Sequence, residues 1–154
     1  MKLSTKGRYA VMAMADLVKY NVKKPTSLAE ISLRQGISIS YLEQLFLKLR
    51  KNNLVKSERG PLGGYVLTKL PEEIKLLSII NAVDEKIETL KCIKESKRGC
   101  NHKSIKCITH NLWDDLEIYI KKFFENNTLN DILFKEVKNN SEELNNETTR
   151  PSRK

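Results

Sequence analysis

No apolar run in this chain comes near the ~18 residues that a membrane-spanning helix needs, so no membrane partner is expected. The N-terminal stretch MKLSTKGRYAVMAM has neither a continuous apolar segment nor a small-residue cleavage site. It is not read as a signal peptide, and the expected location is the cytoplasm. Cysteine is scarce and odd in number: three residues, all between positions 92 and 110, where both histidines also lie. In a reducing compartment such a cluster points to metal or redox work and away from a disulfide framework. The paired C-x2-C spacing common in zinc sites is missing. So is the GK[ST] ending that would make GPLGG, residues 60–64, a nucleotide-phosphate loop. No oxyanion-hole or acid partner stands out beside the cysteines, which argues against a cysteine protease. No enzyme is expected.

Acidic residues are few in one half only. Residues 1–70 carry 13 Lys and Arg against 4 Asp and Glu, whereas residues 71–154 carry 15 of each, so the whole net charge of +9 lies in the first half. A one-sided basic unit attracts a polyanion. Charge alone would equally suit a solubilising lysine-rich surface. At 154 residues the chain is one domain, or one domain with an appendage, and it can bury a core without staples.

The pattern of the first half favours DNA. Ala10, Ala13, Met14, Leu17 and Val18 recur at helical spacing and predict a helix over 4–20, broken by Asn21 to Pro25. Ser27 with Glu30 forms a capping box, so a helix starts there, with Leu28, Ile31 and Ser32 inward and Gly36 at its C-cap. A tight turn follows, with a second start at Ser38 or Ser40. Leu42, Leu45, Phe46 and Leu49 then fall at i, i+3, i+4 and i+7, a buried stripe. Two helices joined this way, over about 28–51, make a helix-turn-helix. The outward face of the second is expected to hold Ser40, Tyr41, Glu43, Gln44, Lys48 and Lys51, which suits a recognition helix: short polar groups for base edges, lysines for phosphates. An ordinary solvated face, with Glu43 as the capping partner of Ser40, is the bland alternative. Residues 54–67, LVKSERGPLGGYVL, read as a hairpin wing whose glycines suit positive φ. Arg59 at its tip could enter a narrow minor groove.

In the second half, Pro71 opens a linker, and residues 77–84 read as a short helix with Leu77, Ile80 and Val83 inward. The polar, basic stretch 92–110 cannot form an apolar core and is expected as a surface loop. Leu112, Leu116, Tyr119, Ile120, Phe123 and Phe124, widened by Trp113 and Ile118, predict a long helix apolar on more sides than one chain can cover, so a homodimer is expected. Thr128 and Asp131 suit the start of a short helix through Phe134. Residues 138–154 hold one leucine and are expected to be disordered.

The spacing Cys92-x7-Cys100-x6-Cys107-x2-His110 offers four soft ligands that fit structural zinc or an iron–sulphur cluster. Long gaps in one loop suit a multi-atom cofactor. Three reduced thiols with a helix-capping histidine would be the structural alternative.

The motifs KGRYAV (6–11), the QGIS–SYLEQLF string (35–46), LRKNxLV (49–55), RGPxGGY (59–65), AVDE (82–85) and the Cys-x2-His leading into LWxDL (112–116) carry a resemblance. The chain resembles the IscR-type regulators of iron–sulphur cluster assembly, within the winged-helix family that also contains nitric-oxide, iron and cysteine-supply sensors. The resemblance covers nearly everything before the tail. It implies a mostly α fold with a small β-hairpin wing, a winged helix-turn-helix plus a long dimerisation helix. It also implies a dimeric transcription regulator that binds a double-stranded DNA operator, activating or repressing, with the cluster-assembly machinery as cluster donor. One [2Fe–2S] cluster per subunit would be held by Cys92, Cys100, Cys107 and His110. Ser40, Glu43 and Gln44 would meet the major groove and Arg59 the minor groove, with Arg8, Ser38, Tyr41, Lys48 and Gly60 as further DNA contacts. The implied division is residues 1–70 for DNA, 71–91 linker and short helix, 92–110 cluster loop, 111–137 dimerisation helix and short helix, and 138–154 tail. The loop departs from the IscR-type pattern by extra residues on both sides of Cys100, with His102 as an added candidate ligand. Extra length costs little closure entropy. Nitric-oxide-sensing relatives hold [4Fe–4S] with a carboxylate as the ligand that is not cysteine, whereas Cys-x2-His suits the histidine-ligated [2Fe–2S] type. The alternative within the family is a repressor with a different cluster, zinc or a protein effector.

Overall fold

A computed structural model describes residues 4–20, 24–87 and 106–134. Cys92, Cys100, His102 and the tail 138–154 lie outside the described residues. The order is α1 (Thr5–Tyr20), α2 (Leu28–Gln35), α3 (Ile39–Lys51), β1 (Val55–Glu58), β2 (Gly64–Leu67), a 3-10 turn (Pro71–Glu73), α4 (Leu76–Ala82) and α5 (His110–Asn126), with residues 129–134 again helical. No described helix is long and apolar enough to cross a membrane.

The helix boundaries follow from local chemistry. The Ser27 hydroxyl accepts from the Glu30 N–H at 3.3 Å, and the Glu30 carboxylate accepts from the Ser27 N–H at 2.8 Å, so both orphan donors at the start of α2 are satisfied. At its end Gly36 takes φ 65°, a left-handed cap that an L side chain resists, and its N–H returns to the Ser32 carbonyl. The second start falls at Ser38, not Ser40: Ser38 is the N-cap of α3 and Ser40 lies inside the helix.

The core is one cluster. Ala10, Met14 and Leu17 of α1, Ile31 of α2, Leu42, Phe46 and Leu49 of α3, Val55 of β1 and Ile79 of α4 are all buried in it. α4 begins one residue earlier than its pattern suggested, with Ile79 and Ile80 fully buried and Leu77 only partly so. Inside this apolar layer lies one acid. Asp16, 2% exposed, accepts from Arg34 at 2.6 and 3.0 Å and from Gln35 at 2.7 Å, tying α1 to the end of α2. The Asp16 carboxylate drives the Arg34 guanidinium still higher above its ordinary range.

The hairpin pairs Val55 with Leu67 and Glu58 with Gly64, antiparallel. Thr26, just before α2, adds a third partner: its N–H and carbonyl bond Tyr65 at 3.1 and 2.8 Å. The glycines of the wing serve two purposes. Only Gly60 has positive φ, 128°. Gly63 and Gly64 allow close approach instead: a Cβ on Gly64 would stand 2.5 Å from the Thr26 carbonyl. After α5, the Leu129 N–H bonds the Ile74 carbonyl and the Leu76 N–H bonds the Asn127 carbonyl, both at 2.9 Å, which anchors the far end of α5 to the core. Thr128 caps the helical residues that follow, donating to Asp131 from its N–H and hydroxyl.

Candidate functional site

Between α3 and the wing runs an open groove of about 400 Å³, lined by Ser40, Glu43, Gln44, Leu47, Arg50 and Tyr65. Ser38, Ser40, Glu43 and Gln44 are exposed along its N-terminal end. With Ser38 at the N-cap, Glu43 lies beyond the first turn and cannot be a capping partner, so its carboxylate belongs to the groove. Arg59 and Gly60 are exposed at the wing tip.

Two residues expected to face outward from α3 are placed differently. Tyr41 is half-buried against the core, its ring edge-on to Tyr9 with centroids 5.8 Å apart. It lies one helical turn before buried Leu45, on the flank that turns towards α1. Lys48 is also partly buried, and its Nζ lies 2.6 Å from the Asp84 carboxylate. Lys48 holds the Asp84 carboxyl below its ordinary value, with Lys6 and Lys51 adding to the effect. Tyr41, Lys48, Lys6 and Gln44 share a small cleft, about 40 Å³, between α1 and α3. Arg8 is exposed on the first turn of α1. Leu47 and Arg50 also belong to the groove, beyond the residues expected from sequence. Their positions, three and four residues on from Glu43, Gln44 and Leu47 along the same face, were the available signal.

Of the candidate metal ligands, Cys107 and His110 are described. The His110 N–H donates to the Cys107 carbonyl at 3.0 Å, closing the turn that starts α5. Thr109 is the N-cap, so His110 is the first residue of the helix rather than its cap. Its ring is buried, 8% exposed, while Cys107 is half-buried with Sγ 3.7 Å from the Thr109 hydroxyl. Among the described residues no three potential ligands stand together. The two present are a thiol and an imidazole, donor types that suit a soft metal.

α5 packs Phe124 against the core but turns most of its apolar residues away from the described body. Glu117, 3% exposed and bonded to Lys121 at 2.9 Å, faces inward, while Leu112, Trp113, Leu116, Tyr119 and Phe123 are exposed.

The family model Rrf2, described as "Iron-dependent Transcriptional regulator", matches residues 3–135. The HTH-type transcriptional regulator IscR of Sodalis glossinidius is 46% identical over 152 residues, covering 98% of this chain and 90% of that protein. Among solved structures, T. potens IscR is similar with TM-score 0.70 and 38% identity, covering 88% of each chain. CymR, the global cysteine regulator of B. subtilis, is similar with TM-score 0.72 and 34% identity, covering 86% of this chain and 95% of that one.

Proposed function

The chain belongs to the Rrf2 family of DNA-binding transcription regulators, not enzymes, and from that premise we propose that it reports iron–sulphur cluster status to DNA. Cys92, Cys100, Cys107 and His110 hold one [2Fe–2S] cluster per subunit of a homodimer. The Cys107-x2-His110 turn at the start of α5 carries this reading, since it sets a thiol and a buried imidazole on one turn at the end of the cysteine-bearing segment. When bound, the cluster supplies a redox-active and labile centre. Imidazole is neutral, so histidine ligation raises its potential above that of an all-cysteine cluster. The chain's own part is to supply thiolates and a neutral ring, and to tie their state to α5.

On the DNA side, Ser38, Ser40, Glu43 and Gln44 meet base edges in the major groove, Arg59 and Gly60 enter the minor groove, and Arg8 and Lys48 meet phosphates. A carboxylate such as Glu43 is favourable there mainly where a cytosine amino group donates to it. Two copies joined through the exposed face of α5 match a two-fold DNA site. The cluster-assembly machinery is the donor. The cysteine-supply branch, to which CymR belongs, is the competing reading. Greater sequence similarity to IscR-named relatives and the four soft ligands favour the cluster.

Protein purified without oxygen should be red-brown, with iron and acid-labile sulphide in near-equal amounts. Cys→Ala at 92, 100 or 107 should remove the colour, and His102→Ala should keep it. Colourless protein with one tightly bound zinc per chain would sink the proposal.

A further inference from the structure

By its own sequence α1 begins poorly. Its first turn holds no acidic residue, while Lys6 and Arg8 sit there, cations at the positive end of a helix dipole. The missing anion comes from 81 positions away, where Glu85 Oε1 accepts from the Ser4 N–H at 2.8 Å. Glu85 Oε2 accepts from the Ser4 hydroxyl as well. Ser4 passes this hold into the helix: its hydroxyl accepts from the Lys6 N–H at 3.2 Å and its carbonyl from the Arg8 N–H at 3.3 Å. Gly7 makes the room. It is buried, and a Cβ there would stand 3.1 Å from Glu85 Cγ.

The neighbouring acid grips the other helix. Asp84, at φ 56°, takes the Lys48 ammonium at 2.6 Å, and Asn52 at the end of α3 donates to the Ala82 carbonyl at 3.3 Å. The backbone of the pair is fixed in turn, since the Asp84 N–H bonds the Asn81 carbonyl at 3.0 Å and the Glu85 N–H bonds the Ile80 carbonyl at 3.2 Å. One turn therefore holds the start of α1 and the later part of α3, the two walls of the cleft that Lys6, Tyr41, Gln44 and Lys48 line.

We propose that Asp84 and Glu85 are positioning residues for DNA binding: Glu85 caps α1 and so fixes Arg8, Asp84 fixes Lys48, and one turn thereby holds both cations in place for backbone phosphates. The inference rests on the assignment of Arg8 and Lys48 to phosphates. Its sign is what makes it testable. Two carboxylates near a polyanion that did nothing else would weaken binding, and removing either would tighten it. A positioning role has the opposite sign.

The test titrates the full-length chain into a labelled duplex recovered from random sequence by the wild-type protein. Glu85→Gln, which keeps the side chain's size and an acceptor but removes the charge from the helix N-terminus, should weaken binding roughly two- to fivefold, the equilibrium equivalent of a lost charge–dipole interaction. It should also speed hydrogen exchange at the Arg8 amide and add little to Arg8→Ala. Gly7→Ala should weaken binding too, although alanine favours the helix by itself, because its Cβ displaces Glu85. Asp84→Asn should weaken binding in the wild type and be silent in a Lys48→Met background. If Arg8→Ala weakens binding while Glu85→Gln and Gly7→Ala leave it unchanged or tighter, the positioning role is overturned and the contact assignment stands. If Arg8→Ala binds like wild type, the contact assignment falls and takes the inference with it.

Discussion

Replacing Gly64 with alanine should detach the wing from the helical body. The new Cβ would lie 2.5 Å from both the carbonyl carbon and oxygen of Thr26, backbone atoms that cannot swing aside as a side chain would. Relief requires opening the Thr26–Tyr65 bridge, with its bonds of 3.1 and 2.8 Å. Two lost backbone bonds, with Thr26 left buried, cost about 2–4 kcal/mol. Tyr65 also loses its seat against Phe46, whose ring centroid is 4.7 Å away. Gly36→Ala is the control. Its φ of 65° disfavours a side chain, but nothing lies within 4 Å of the added Cβ, so only the conformational cost applies, about 1–2 kcal/mol. Thermal unfolding followed by circular dichroism should lower Tm by about 5–15 °C for Gly64→Ala and less for Gly36→Ala. Gly64→Ala melting within a degree of wild type, or Gly36→Ala melting lower than it, would refute the close-approach account of the wing.

Other outcomes follow from named contacts. The Ser27 N–H, then Lys24 and the Ser27 hydroxyl, hold Glu30 down to about 2 from an ordinary 4.5. A depressed folded value means that this stabilisation is whole above pH 4.5 and is lost as pH falls through about 2; Ser27→Ala should cost about 1 kcal/mol near neutrality yet keep most of that acid dependence in urea titrations, because the backbone N–H and Lys24 still hold the carboxylate, whereas Glu30→Gln should abolish it. Phe46→Ala should cost about 3–5 kcal/mol in the same assay, since the ring is fully buried. Leu116→Asp with Phe123→Asp should give monomers or aggregates by sedimentation, and a stable wild-type monomer at micromolar concentration would contradict the dimer. Arg59→Ala should cost about 1–3 kcal/mol of DNA binding in filter or anisotropy assays, and an unchanged affinity would remove the wing tip from the interface.

The helices were legible where a physical rule acts over a few residues. The stripe at Leu42, Leu45, Phe46 and Leu49, the Ser27–Glu30 box and the Gly36 cap each carry their cause within one or two turns, and all are present. The winged helix-turn-helix was legible for the same reason. What escaped was carried by distant partners. Asp16 sits in an apolar stripe, and only the later Arg34 and Gln35 make its burial tolerable. The Thr26 strand contact, the Glu85 cap on α1 and the Lys48–Asp84 pair leave no periodic trace, because their partners lie far away in sequence. The pattern of α3 puts Tyr41 outward with Ser40, Glu43 and Gln44. α1 supplies an apolar wall for its ring, and the helix wheel of α3 alone cannot show that.

The central claim is that a cluster changes which DNA this protein reads. The most direct measurement is selection of duplexes from random sequence by wild-type protein, once with the cluster and once after its removal. The account predicts two classes of site, one recovered only with the cluster and one recovered in both states. Glu43→Ala lacking the cluster should recover the first class as well, because the carboxylate no longer rejects sites without a donor. The change in affinity can be no larger than the cluster's own preference between the two DNA-binding states. Identical sequences selected with identical affinity in both states would contradict the account.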